Sequence, residues 1–169
     1  MRSLRLATGL NSTTWTWPDL RAKQFLTIVP KILESTSESP CVVICAGANN
    51  VGLDTPAGIA HRLAQVADAI KSMRPSANIV FVGLLPRHVK SHRNDVHPDY
   101  LRACNVNIKI MCDKMSYGFV DVWYGVVGDR RCFAGDGVHL SRKGKLILQK
   151  GIFYVVTGRS KCFVSRQEN

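Results

Sequence analysis

Two short stretches of this 169-residue chain carry residue types that could do chemistry together. Near the C-terminal end, Asp136-Gly137-Val138-His139-Leu140 places an acid and a histidine three residues apart in a loop. A carboxylate at that spacing can fix the tautomer of an imidazole, and the imidazole can then take and return a proton. Far upstream, Gly47-Ala48-Asn49-Asn50 follows an apolar run. A Gly-x-Asn turn straight after a buried strand offers a side-chain amide donor suited to a developing oxyanion. The part that is missing is a nucleophilic serine presented by a strand upstream. Each stretch also has a plainer reading. His139 on local spacing alone equally fits a loop histidine capping the last helix, and Asn49 a turn residue at a strand-to-helix corner.

The elements that must position these residues can be read from the apolar pattern. Residues 41–46 form a short continuous apolar run between Pro40 and Gly47, as expected of a strand buried on both faces. Residues 79–85 form a second run ending at Pro86, and residues 119–123 a third. Between the first two, Thr55-Pro56 marks a helix start, followed by Ile59, Leu63, Val66, Ile70 and Met73 on one face. A second helix is expected from about Asp99 to Met115 and a last one from Ser141 to about Val156, carrying Leu146, Leu148, Ile152 and Val155. Met73, Met111 and Met115 match core spacing. A further helical segment runs from Trp17 to Leu33, which Pro30 is expected to bend or end. Strands alternating with amphipathic helices predict an α/β domain with a parallel sheet covered on both sides. In such sheets, function collects beyond the carboxyl ends of the strands. The Gly47–Asn50 turn, the loop after Pro86 and the Asp136–His139 loop can all meet there.

Composition narrows the function classes. The chain is 46% hydrophobic and 21% charged, enough for a single domain with a real core. It lacks a membrane-length apolar stretch and an N-terminal signal pattern, so a cytoplasmic or nuclear protein is expected. Lys and Arg outnumber Asp and Glu by 23 to 12, a formal charge of +11. That excess favours weak electrostatic contact with polyanions such as nucleic acid. Basic zones lie at 87–93, 130–131 and 142–145, without a zinc-finger, phosphate-loop or RNA-recognition signature. The six cysteines form no Cys-x-x-Cys pair; reduced thiols are expected, with Cys41 and Cys45 as small core residues. His88 and His92 are four apart, but Pro86 and Pro98 make the segment a loop, and Arg87, Lys90 and Arg93 repel a cation. No metal or other cofactor is expected. Trp15 and Trp17 read as core or interface anchors.

The two motifs in this order resemble those of the SGNH (GDSL-type) esterase superfamily. Gly47-Ala48-Asn49-Asn50 resembles its Gly-x-Asn-Asp block, and Asp136-Gly137-Val138-His139 its Asp-x-x-His block. The resemblance runs from about residue 29 to about residue 156, and its wording is closest to domains of animal retroelement-derived proteins. It implies a three-layer, flavodoxin-like α/β fold that cleaves carboxylic esters of small substrates. His139 would be the general base, Asp136 its orienting acid and Asn49 an oxyanion donor, with Gly47 and Asn50 supporting the turn. Asn50 stands where the family usually has Asp. The family's Gly-Asp-Ser block and its first strand are not found, and Ser3 and Ser12 are poor substitutes. The second-block glycine, expected near Trp17-Pro18-Asp19, is also missing, with Gly9 the nearest. The expectation is one domain over 1–169, N-terminally truncated, with a basic tail over 157–169 and weak or absent esterase activity. The alternative is a retroelement-derived module kept for nucleic-acid contact or self-association.

Overall fold

The computed structural model describes residues 21–88 and 97–158, together with the backbone of two strands, β1 (Arg2–Arg5) and β2 (Asn11–Thr14). These two pair antiparallel in a small sheet of their own, Arg2 opposite Thr14. Strand structure was not expected here. The expected tail beyond Gly158, Cys162, the tryptophans at 15 and 17, and His92 lie outside the described residues.

The main sheet is parallel, with the order β3 (Cys41–Ile44), β4 (Asn78–Val82), β5 (Gly118–Val120). Side chains alternate across it as the pleat requires. From β4, Ile79 and Phe81 enter one core with α1 (Ala22–Glu34), α2 (Pro56–Met73) and α3 (Pro98–Met115). Val80 and Val82 enter the other, with Val120, Val122 and the apolar side of α5 (Arg142–Val156). The result is three layers, helices on both faces of a parallel sheet, as the alternation of strands and helices predicts.

Several elements follow their sequence signals closely. Thr55 caps α2, its hydroxyl accepting the Gly58 N–H at 3.0 Å. Ile59, Leu63, Val66 and Ile70 are buried along one face. Other expectations need correction. Among the described residues only β4 is buried on both faces and β3 pairs only with β4; Cys41 and Cys45 are exposed rather than in the core. The third strand stops at Val120 because the Asp121 carboxylate accepts the Trp123 N–H at 2.8 Å and starts the short helix α4 (Trp123–Val126). Helix α1 runs through Pro30 to Glu34, anchored by Val29 and Leu33, which are buried on either side of the proline. Met73 and Met115 are exposed, lying at helix ends beyond the packed turns, and Leu146 is exposed because α5 turns Ile147, Leu148 and Ile152 to the sheet.

Two polar or steric details fix the end of the sheet where the motifs lie. Asn105, buried in α3, accepts the Leu84 N–H at 2.6 Å and donates to the Leu84 carbonyl at 2.9 Å. It satisfies the backbone just past β4, where the ladder ends. Gly144 lies against the Cys132 carbonyl so closely that a Cβ would sit 2.2 Å from that oxygen. The same carbonyl accepts the Ser141 N–H at 2.9 Å, so the start of α5 is docked on the 130–132 turn. Gly144→Ala must therefore displace backbone, and is expected to cost at least about 2 kcal/mol. Chemical denaturation of the two proteins measures this; equal midpoints would show the docking to be loose.

Candidate functional site

The first component is the turn beyond β3. Gly47 has φ = 101°, a left-handed conformation that favours glycine, and starts a 3-10 turn over Ala48–Asn50. Asn50 is buried, and both ends of its amide are used. Its oxygen accepts the Ala22 N–H at the start of α1 at 2.9 Å, and its nitrogen donates to Asp54 Oδ2 at 2.6 Å. Asp54 is also gripped by Arg62, through Nε at 3.0 Å and Nη2 at 2.9 Å. Hydrogen bonds from Arg62 and then Asn50 hold the Asp54 carboxyl below its ordinary range. The Tyr100 hydroxyl donates to the Asp54 carbonyl, so α1, α2 and α3 are all tied to this turn. Asn50 thus does more than cap the turn, and a neutral amide suits it better than a carboxylate.

The second component is the loop between the 130–132 turn and α5. An antiparallel bridge between Phe133 and Leu140 closes it, reinforced by the Ala134 N–H to His139 carbonyl bond at 2.7 Å. Arg130 braces it by donating to the carbonyls of Phe133, Ala134 and Gly135 at 3.2, 2.7 and 2.9 Å. From the β4 side, the His88 N–H donates to the Gly137 carbonyl at 2.8 Å. Inside this frame, Asp136 Oδ1 accepts the N–H groups of Val138 and His139, each at 2.9 Å. Asp136 Oδ2 lies 2.5 Å from His139 Nδ1. Those bonds, the one from the His139 ring foremost, hold the Asp136 carboxyl far below its ordinary range. An ionised acceptor at this distance requires the proton on Nδ1, which leaves the lone pair of the neutral ring on Nε2. Nε2 has no hydrogen-bond partner among the described residues, and the ring is 81% exposed.

The two components meet at a cavity of about 300 Å³. Asn49 and Ala48 line it from the β3 turn, and Val138, His139 and Leu140 from the loop. The rest of the wall is mainly apolar, from Leu84, Leu85 and Leu148. Two further residues not read as site residues from the sequence also line it: Cys45, expected in the core, and Arg87, expected only as part of a basic zone. No serine or threonine is among the described residues lining the cavity. Ser3 and Ser12 fall on β1 and β2, whose side chains lie outside the described residues. Cys45 is exposed as a residue, yet neighbouring atoms desolvate its sulfur and push the thiol up to about 11. His88 packs against Phe133 at 4.7 Å, and among the described residues no three His, Cys, Asp or Glu side chains converge as a metal site. Among the same residues, no helix is long and apolar enough to cross a membrane.

The model of the GDSL-like lipase/acylhydrolase family matches residues 6–147. Among solved structures, the chain is similar to a GDSL-like lipase of Bacteroides thetaiotaomicron, with 22% identity over 84% of this chain and 73% of the other (TM-score 0.69). It is similar to a lipase/acylhydrolase of Enterococcus faecalis, with 19% identity over 83% of this chain and 72% of the other (TM-score 0.68). The esterase domain of the ORF1 protein of the zebrafish ZfL2-1 retrotransposon is 24% identical over 83% of this chain and 85% of that one (TM-score 0.54). No curated protein matches the chain.

Asn50→Asp tests the reading of the turn. A second carboxylate would face Asp54 where the amide now donates, so the variant is expected to lose about 1–3 kcal/mol at neutral pH. Thermal melts at pH 7 and pH 5 check this: the deficit should shrink as the shared proton is restored. An unchanged melting temperature at pH 7 would contradict the assigned bond.

Proposed function

The chain belongs to the GDSL-like lipase/acylhydrolase family, and from that premise we propose that its cavity is the acid–base and oxyanion half of a carboxylic-ester hydrolase site. The observation that carries the reading is the 2.5 Å bond from His139 Nδ1 to Asp136, with His139 and Asn49 lining one cavity. Asp136 holds the imidazole in the tautomer that offers Nε2 as the base. The resulting imidazolium is stabilised by the same carboxylate. Asn49 supplies the amide donor to the oxygen that gains charge as the ester carbon becomes tetrahedral. The exposure of His139 leaves Nε2 accessible to a hydroxyl or water whose proton it must take.

The nucleophile is the open part of this reading. Of the described residues lining the cavity only Cys45 is of a nucleophilic type, and its raised pKa leaves it protonated at neutral pH. A base and an oxyanion donor without their nucleophile retain only a residual rate, a loss of about 10⁶-fold. On this reading we propose that the chain turns over esters weakly or not at all.

The net charge of +11 supports a second reading, an electrostatic nucleic-acid contact retained beside the hydrolase fold. Binding to a single-stranded RNA that falls steeply with added salt would favour it.

Initial rates of p-nitrophenyl acetate hydrolysis should be the same for the chain and for His139→Ala, within about twofold. Titration with ethyl butyrate should nevertheless shift the NMR signals of the His139 ring and the Asn49 side-chain amide. Fast turnover abolished by His139→Ala would overturn the inactivity. Absence of both shifts would overturn the ester site.

A further inference from the structure

Arg87 is the one cationic side chain among the described residues lining the cavity, and its wall is otherwise mainly apolar. It is half-buried, immediately after Pro86 at the carboxyl end of β4. One guanidinium nitrogen, Nη2, donates to the Ala48 carbonyl at 3.2 Å, in the turn that carries Asn49. No carboxylate among the described residues pairs with it. Arg62 and Arg131, by contrast, are each held by an aspartate. A single bond to a neutral carbonyl leaves most of a five-donor fork unused. A charge drawn partly out of water without a counter-charge is costly, and an anion completes it.

The backbone around Arg87 is fixed on both sides. Asn105 clamps both polar groups of Leu84, and the His88 N–H is bonded to Gly137 in the loop that carries His139. The guanidinium is therefore attached to a pinned segment between the two halves of the site. Little ordering remains to be done when a ligand arrives.

We propose that Arg87 is an anion-binding subsite of this cavity, fitting it for esters that carry a negative group on the acyl or the alcohol part; the assignment rests on the ester reading above. The planar fork matches a carboxylate or a phosphate, and the apolar wall takes the carbon chain between that group and the ester. The chain's general positive charge attracts any anion, so the subsite is distinguished by its dependence on this one side chain.

The experiment is a binding titration of the full chain, followed by the NMR signal of the His139 ring. Monoethyl succinate is compared with diethyl succinate, and acetylglycolate with its methyl ester, placing the charge on the acyl or the alcohol side. In at least one pair, the anion should bind about tenfold more tightly or better. Arg87→Gln should remove that preference, Arg87→Lys should keep part of it, and Lys114→Gln, on the exposed far end of α3, should leave it intact. A preference that survives Arg87→Gln, or equal binding within both pairs, overturns the subsite while leaving the ester site standing. If none of the four compounds moves the His139 ring, the ester reading falls and the subsite with it.

Discussion

The burial of β4 on both faces is the constraint from which the rest of the domain follows. Four consecutive residues, Ile79 to Val82, are almost inaccessible to solvent, so each face of the strand must be covered by helix. Helices α1, α2 and α3 meet the Ile79 and Phe81 face, and α5 meets the Val80 and Val82 face. Parallel pairing on either side then sends the chain out of the sheet at one common end. The turn after β3 and the loop before α5 come together there although about ninety residues separate them in sequence. Apolar side chains alone make this geometry robust, since losing any one large buried group costs several kcal/mol.

Fine placement at that end depends on side chains that satisfy backbone polar groups. Asn105 continues the hydrogen bonding of β4 after the ladder has stopped. Asn50 joins the start of α1 to Asp54, and Arg130 ties three successive loop carbonyls to one guanidinium. A buried polar group left without a partner is expensive, so the bonds of Asn50 and Asn105, both buried, tend to be made in full or not at all. The consequence is that the Asp136–His139 pair and Asn49 are set on backbone that is fixed from several sides, although His139 itself faces solvent.

Much of this was legible in the sequence. Continuous apolar runs locate the three parallel strands and a 3.6-residue period locates helices α2, α3 and α5, and Thr55 marks its helix start without ambiguity. The Asp136 to His139 spacing points to the short bond between them. The exposure of Cys41 and Cys45 was not legible, because an apolar run such as 41–46 reads the same whether one or both of its faces are covered. The structural work of Asn105 and Arg130, and the place of Arg87 in the cavity wall, were hidden for another reason. Their partners are backbone groups or a cavity formed by distant segments, and no local spacing encodes either. Pro30 misled for the converse reason: local backbone preference was overruled by the packing of Val29 and Leu33.

The account rests on one proton. If Asp136 holds His139 as the structure shows, long-range ¹H–¹⁵N NMR of the neutral imidazole will find it protonated on Nδ1, with that proton shifted far downfield. Asp136→Asn should collapse the signal into a mixture of tautomers. A native ring already protonated on Nε2, or exchanging freely between the two forms, would mean that the dyad does not hold in solution, and the base assigned to this site would be lost.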